Sequence, residues 1–241
     1  MKTIPQFIWC MFFACITLVF VSCSNYGEPV SMNYPVNGSY TKLNVSHAFD
    51  VTVSDDIASA VVTVPERLHD KVKVAVLNGT LYIGYKNSLS FTGSYVQASV
   101  VLPRNAQLSD LDLSGASSFC GDLKGSDVEI DLSGASEFQG NVMADEMEID
   151  LSGASKASLS GSCAGMIDIE LSGASYLNAA SVDAQSVQGD LSGASSADVT
   201  ICNNVKVNLS GASHLTYGLL SSDCQPVVKC ESSGSSTVEQ R

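Results

Sequence analysis

The pentapeptide Leu-Ser-Gly-Ala-Ser stands at residues 113–117 and returns unchanged at 132–136, 151–155, 171–175, 191–195 and 209–213. An altered seventh copy, Ser-Ser-Gly-Ser-Ser, stands at 232–236. The unchanged copies begin 18 to 20 residues apart. A unit this short cannot bury an apolar face by itself, so neighbouring units must stack on one another. The repeat therefore predicts a solenoid.

The residues before each copy indicate the kind of solenoid. Val128, Ile130 and Leu132 alternate with Glu129 and Asp131, and the other copies follow a similar pattern. Alternation with period two is typical of a strand with one buried face. A second apolar column follows the corner and consists of Phe119, Phe138, Ala157, Leu177, Ala197 and Leu215.

A coil of about 19–20 residues suits three short strands joined by three corners, and Gly-Ala-Ser permits a tight bend. A leucine-rich repeat has a comparable period, but here no segment of helical periodicity separates the strands. We therefore expect an all-β fold, a parallel β-helix or β-solenoid. Its coils should be right-handed and lie ~4.8 Å apart.

The part of the chain before the repeats also predicts strands, but less regular ones. Alternating or β-branched runs occupy residues 43–45, 51–53, 61–64, 72–76, 81–85 and 98–102. Asn78-Gly79 is a hairpin signal between two of them. These strands either cap the open end of the solenoid or form its first coils. We expect one domain over 39–241, with N-terminal strands at 39–108 and regular coils at 109–236.

The N-terminus is typical of an exported lipoprotein. Lys2 precedes an apolar run from residue 8 to 21, and Phe20-Val21-Ser22-Cys23 resembles a bacterial lipobox. We expect a signal peptide at 1–22, acylation of Cys23, palmitate included, and a polar tether at 23–38. Ordinary secretory cleavage, with Cys23 left as a thiol, is the alternative. The expected location is the bacterial cell envelope, on the outer membrane through the lipid anchor. The periplasmic and surface faces both stay open.

Composition excludes two classes of protein. The chain has 12 Lys and Arg against 25 Asp and Glu, a formal charge of −13. Phosphate binding needs clustered basic residues, so a nucleic-acid partner is excluded. With 45% hydrophobic and only 15% charged residues, the chain is not intrinsically disordered.

Over about residues 40–236, the alternating strands, the segment Asn-Gly-Thr-Leu-Tyr-Ile at 78–83 and the repeated pentapeptide resemble the putative auto-transporter adhesin, head GIN domain family. The lipobox fits the same group. The resemblance implies a bacterial envelope lipoprotein with a β-helical body. One departure is visible, because Ala48-Phe49-Asp50 stands where the family has Gly-Ile-Asn.

The outward positions of the repeated strand form two acidic columns. Stacking places like charges about one strand spacing apart, where they repel one another. Calcium would relieve that repulsion, and the candidate ligands are Glu129, Asp131, Glu148 and Asp150. The alternative is a solvated face that binds nothing and whose carboxylates have slightly raised pKa values. We expect no other cofactor.

The carboxylates also raise the question of catalysis, because parallel β-helices include polysaccharide hydrolases and lyases. Paired carboxylates serve as acid and base when their environments separate their pKa values. A repeated column makes its members alike, however, and no Arg lies between Arg104 and Arg241. An acidic sugar would be repelled by this surface. A carbohydrate-active enzyme is therefore the second hypothesis, and a non-catalytic protein is the first.

The corner serines form a hydroxyl-rich ridge that suits a glycan or a structural role. Its candidate binding residues are Ser133, Ser136, Ser152 and Ser155. Among the later cysteines, Cys224 and Cys230 are the only pair that we consider for a disulfide, and Cys230 falls in an inward column that predicts a buried thiol. The first hypothesis is an adhesin-like or structural envelope β-helix that binds a glycan or an envelope protein. The sequence leaves its oligomeric state open.

Overall fold

Alternating apolar and polar residues form strands that stack in parallel, as the repeat predicts. The computed structural model describes residues 27–86, 98–105 and 107–241. It is an all-β solenoid of about seven turns, with strands that form one continuous sheet. The signal peptide and Cys23 lie outside the described residues. Among the described residues, no helix has the length and apolar character that crossing a bilayer requires.

Within the described residues, seven strands precede the regular coils, together with a short 3-10 helix at Glu66–Lys71. Their bounds are β1 Pro29–Tyr34, β2 Lys42–Val45, β3 Phe49–Ser54, β4 Ala60–Pro65, β5 Val72–Leu77, β6 Thr80–Tyr85 and β7 Ala98–Pro103.

Thirteen further strands form the coils. Their bounds are β8 Asp110–Leu113, β9 Ser118–Cys120, β10 Leu123–Lys124, β11 Asp127–Leu132, β12 Glu137–Ala144, β13 Glu146–Leu151, β14 Lys156–Leu171, β15 Tyr176–Leu191, β16 Ser196–Ile201, β17 Asn204–Leu209, β18 His214–Leu219, β19 Val227–Ser232 and β20 Thr237–Gln240.

The strand before each corner stacks in register on its equivalent one coil away. Ile130 faces Ile149, which faces Ile169 in the next coil. All three side chains are fully buried. The second column, which begins with Phe119 and Phe138, is buried too, and these two rings stack with centroids 5.7 Å apart. The solenoid interior is therefore a continuous apolar core along its length.

The corner glycines are required by backbone geometry. Gly173 has a φ of +74°, and a Cβ added there would lie 2.4 Å from the carbonyl oxygen of Gly153. The next residue, Ala174, donates its N–H to that same oxygen at 2.7 Å. Hydrogen bonding between coils therefore continues through the corners, which brings the main chains too close for any side chain at the glycine.

The N-terminal strands both continue the solenoid and cap it, so the two alternatives hold for different strands. The coil of β2 and β3 pairs in parallel with β8 and β9 on one side and with β6 and β7 on the other. Beyond this outer coil, β5 pairs antiparallel with β6, β4 with β7, and β1 with β4. The structure differs here from the expected tether at 23–38, because Pro29–Tyr34 form β1.

The expected disulfide is wrong. Cys224 bonds to Cys202, with the two Cα atoms 4.8 Å apart, and Cys230 remains an exposed thiol. Cys202 and Cys224 lie in equivalent loops of adjacent coils, seven and eight residues before their corner repeats, so stacking brings them together. Cys230 does face Val207 in the inward column, but no coil of the described residues covers its other side.

Candidate functional site

The two outward columns form as predicted, with every member in parallel register. The first column is Asp110, Glu129, Glu148, Asp168, Gln188, Lys206 and Lys229. The second column is Asp112, Asp131, Asp150, Glu170, Asp190, Asn208 and Glu231. Four calcium candidates, Glu129, Asp131, Glu148 and Asp150, thus sit side by side on two adjacent coils.

A groove of about 510 Å³ runs across the coils beside the second column. Its lining includes the carboxylates of the second column and the first serine of several corners, two residues further along the chain. We call it the acidic groove, and its polar residues are Asp112, Asp131, Asp150, Glu170, Asp190, Ser133, Ser152, Ser172 and Ser192. Every coil presents nearly the same pair of groups to the groove, because the chain reaches the same corner once per coil.

The two serines of each corner have different roles. Ser133 and Ser152 line the acidic groove. Ser136 and Ser155 are buried, and each donates its hydroxyl at 2.7 Å to the carbonyl oxygen of the first serine of its corner. The expectation that Ser136 and Ser155 present their hydroxyls to a ligand is therefore wrong, because those groups satisfy the backbone of the bend.

Groups that the sequence analysis missed extend the columns at one end. Lys42 lies on Asp110, with Nζ 2.6 Å from Oδ1, and the Asn44 amide donates to Asp112. The signal was present, because Lys42-Leu43-Asn44-Val45 has the alternation of Asp110-Leu111-Asp112-Leu113. Towards the other end, amides again donate to carboxylates, Gln188 to Asp168 and Asn208 to Asp190, both at 2.8 Å.

The centre of the acidic groove lacks such donors. Burial first, and then the charges of Asp131 and Glu170, raise the pKa of Asp150 to about 6. Burial and the charges of Asp112 and Glu148 likewise raise the pKa of Asp131. Oδ1 of Asp150 is buried and receives no hydrogen bond from the residues that the structure describes. No amide or lysine of the described residues therefore neutralises the carboxylates at the centre, in contrast to those towards the two ends.

The first column behaves differently at its Lys42 end. Burial raises the pKa of Asp110, but hydrogen bonds with Lys42 and Glu129 outweigh it and hold this pKa below its usual value. The hydrogen bond to Asp110 in turn raises the pKa of Glu129. These two carboxyl groups therefore share a proton more readily than isolated ones.

The acidic columns do not amount to a preformed metal site. Within residues 27–86, 98–105 and 107–241, no group of three or more His, Cys, Asp or Glu side chains is arranged to hold a metal ion. The columns have the oxygen chemistry that calcium prefers, but stacked strands hold neighbouring carboxylates on separate coils.

A second cavity, of about 190 Å³, opens where the N-terminal coils meet the regular ones. Its lining is mainly apolar and includes Tyr40, Leu102 and Phe119, with Arg104 at the edge. Arg104 already binds two carboxylates, Asp55 at 2.7 Å and Asp122 at 2.9 Å. Its guanidinium group therefore serves to join the loops around the cavity.

Comparison with solved structures finds the same fold in proteins from Bacteroides and Parabacteroides species. A putative adhesin from Bacteroides fragilis is 15% identical with a TM-score of 0.72, and the match covers 89% of this chain and 97% of that one. A putative adhesin from Parabacteroides distasonis is 20% identical with a TM-score of 0.64, covering 89% and 98%. A putative lipid binding protein from the same species is 16% identical with a TM-score of 0.66, covering 89% and 97%.

These identities establish likeness of fold alone. No curated protein sequence matches the chain. The sequence profile of one family, described as putative auto-transporter adhesin, head GIN domain, matches residues 39–218. That range spans the N-terminal coils, the acidic groove and all six unchanged repeats. The chain therefore belongs to the putative auto-transporter adhesin, head GIN domain family.

Proposed function

We propose that the chain is a non-catalytic, adhesin-like binding protein of the bacterial cell envelope, anchored through Cys23, and that its acidic groove holds a glycan chain that is neutral or carries amino groups. The family and the names of the similar structures support an adhesin-like role at the cell surface or envelope. The glycan is inferred from the chemistry of the groove.

The observation that carries the proposal is the unpartnered Oδ1 of Asp150 at the centre of the acidic groove. A hydroxyl or amino group of a ligand in the groove would donate to the Asp150 carboxylate and relieve the loss of solvation there. Ser133 and Ser152, which line the same groove, both donate and accept. An anionic polysaccharide would be repelled by the same carboxylates.

The repeat of the site favours a polymer over a single small molecule. Each coil presents one carboxylate and one serine hydroxyl, about one strand spacing from the next pair. A chain with regularly spaced hydroxyl groups can occupy several such pairs at once, which adds weak contacts together. The recurrence of one carboxylate and one serine in successive coils supports binding of a repeating chain over catalysis, since catalysis needs a single distinct pair of acid and base.

The test is a binding screen of the protein against a panel of neutral, amino-bearing and anionic polysaccharides. Each is measured with and without calcium, and release of reducing ends is scored in parallel. We expect binding of neutral or amino-bearing chains without release. Asp150→Ala should weaken it about tenfold, the effect of losing a hydrogen bond to a charged group.

Asp183→Ala is the matched control. Asp183 is an exposed carboxylate outside the acidic groove, so its loss removes the same charge and should leave binding unchanged. Release of reducing ends would contradict the non-catalytic proposal. Binding of anionic chains alone would contradict the groove as the binding site. An equal loss of affinity in Asp150→Ala and Asp183→Ala would contradict it as well. A requirement for calcium would assign the acidic columns a metal-binding role.

A further inference from the structure

The two ends of the solenoid are built differently. At one end, the antiparallel strands β5, β4 and β1 lie outside the outermost parallel coil. At the other end, β19 pairs with β17 and β20 pairs with β18. Within the described part of the chain, nothing pairs with the outer edges of β19 and β20, which we call the open edge.

The backbone of the open edge carries unused hydrogen-bonding groups. Val227 and Ser233 donate their N–H groups to Asn203 and Leu209, both at 2.9 Å. Main-chain groups alternate in direction along a strand, so the N–H and C=O groups of Val228, Cys230 and Ser232 point away from β17. An exposed strand edge of this kind is a template for pairing with another strand.

The inward apolar columns end at the open edge, where no further coil of the described residues packs on their last side chains. Val228 and Cys230 continue the buried columns of Val205 and Val207. Val228 is nevertheless 40% exposed and its neighbour Val227 56% exposed. A further strand on this edge would hydrogen-bond the free backbone groups and extend the core at the same time.

We propose that the occupant is a second copy of this chain, with the two β19 strands antiparallel and Cys230 on the two-fold axis. Cys230 then faces Cys230 of the second copy, and Lys229 faces Glu231 of the second copy. The two-fold symmetry forms this Lys–Glu contact twice. Inward side chains stay inward, because the axis is perpendicular to the sheet.

Charge selects this register over its neighbours. The backbone groups of the even-numbered residues point away from β17, so they must hydrogen-bond to even-numbered residues of the second copy. A symmetric pairing therefore centres on Lys229, Cys230 or Glu231, or on a residue further along the strand. Centring on Lys229 opposes two ammonium groups, and centring on Glu231 opposes two carboxylates. Like charges directly opposite destabilise an antiparallel pair, whereas opposite charges stabilise it. Only the Cys230-centred register of these three pairs opposite charges.

The position of this edge along the solenoid supports the same partner. The chain carries a formal charge of −13, which disfavours contact between copies across most of the surface. At the open edge the first column ends in Lys206 and Lys229 in place of carboxylates. Arg241 lies here too, with its Nε 3.2 Å from Asp198. These basic residues reduce the repulsion between copies at the open edge.

The test measures mass in solution by sedimentation and by light scattering after gel filtration. We expect a dimer that dissociates on dilution. Lys229→Glu and Glu231→Lys should each raise the dissociation constant at least about tenfold, because each turns two attractive contacts into repulsive ones. Combining both substitutions reverses the charges and should restore the dimer.

Lys156→Glu is the matched control, because it makes the same charge change at an exposed position four coils inside the open edge, and it should leave the dissociation constant unchanged. Circular dichroism checks that every variant keeps its strands. A monomer at roughly 100 µM protein would overturn the proposal and leave the open edge to another partner. A dimer that is indifferent to Lys229→Glu, or not restored by the charge reversal, would overturn it as well.

The register has a separate readout. Antiparallel neighbours in a hydrogen-bonded pair have Cα atoms about 5.5 Å apart, within the range that a disulfide spans. With a mild added oxidant, which takes up two electrons as the two thiols lose two protons, Cys230 should join the two chains. Cys230→Ser should abolish this link and keep the dimer mass. A dimer that never links through Cys230 would overturn the proposed register.

Discussion

At the scale of single residues, Asp150 stands out because its surroundings oppose its charge. It is flanked in its column by Asp131 and Glu170, and Glu148 lies beside it on the same strand. The solenoid repeats the acidic position in each coil, and the coil that holds Asp150 is the one furthest from the neutralising groups at the two ends. Charge repulsion is therefore greatest at the centre of the acidic groove.

Asp150→Asn is expected to stabilise the fold at neutral pH and to have no effect near pH 4. The folded pKa of Asp150 is raised to about 6 from its ordinary value of 3.8. The stability linked to its proton is fully present below the unfolded pKa and is lost as pH rises through 6. Because the side chain as a whole is partly exposed, the gain at pH 7.5 should be about 1 kcal/mol or less.

Urea unfolding at pH 4 and pH 7.5 measures this difference. Asp183→Asn, which removes an exposed carboxylate outside the acidic groove, serves as the control and should shift neither curve appreciably. A destabilised Asp150→Asn at pH 7.5 would contradict the prediction, because it would mean that the ionised carboxylate contributes favourably to the fold.

At the scale of the element, the corner determines how closely the coils approach. Gly153, Gly173 and Gly193 stack directly, and each added Cβ would lie 2.4–2.5 Å from the carbonyl oxygen of the glycine in the preceding coil. The same corner sequence is used in every coil because the same close contact recurs there. At the first corner, Ala48 adopts a φ of +59°, a conformation that glycine would adopt with less strain.

Gly173→Ala is expected to destabilise the protein by about 2–4 kcal/mol, since it adds strain at a positive φ and forces adjacent coils apart. Chemical denaturation provides the measurement. Ala174→Ser is the matched control, because the altered repeat already carries Ser235 at the equivalent position, and it should stay within about 0.5 kcal/mol of the unaltered protein. Equal stability of Gly173→Ala would show that the corners can separate freely.

At the scale of the whole molecule, each coil contacts only its neighbours, so stability is a sum over coils and interfaces. The disulfide between Cys202 and Cys224 closes a loop across two coils near the open edge. The disulfide reduces the conformational freedom of the unfolded chain in the coils next to the open edge, which other described coils cover from one side only.

Replacing both cysteines by serine is expected to cost about 3 kcal/mol, the value for a loop of this length, with a sequence separation of 22 residues. Denaturation of the unaltered protein with and without a reductant should reproduce that loss. The double variant should not respond to the reductant. Identical unfolding of all samples would contradict the prediction.

The amino-acid sequence by itself determined the regular coils, their parallel register and the two outward columns. It could do so because a solenoid is nearly one-dimensional, and a repeat read along the chain gives contacts between adjacent coils directly. The buried columns followed from period-two alternation. Stacking of like charges predicted raised pKa values for the central carboxylates, although burial is the larger cause. The family resemblance added the class of protein through the same residues.

The tertiary structure decided what the repeat does not encode. The coil of β2 and β3 lies between β8–β9 and β6–β7, an order that depends on contacts between distant segments. Only that order places Lys42 and Asn44 at the end of the acidic columns, beside Asp110 and Asp112. Asp150 then lies at the centre, away from the groups that neutralise the two ends. Burial separates the two serines of each corner, which the sequence presents as equals. Cys202 and Cys224 meet because their loops stack on each other in adjacent coils, and Cys230 is exposed because an inward position is buried only when another coil covers it.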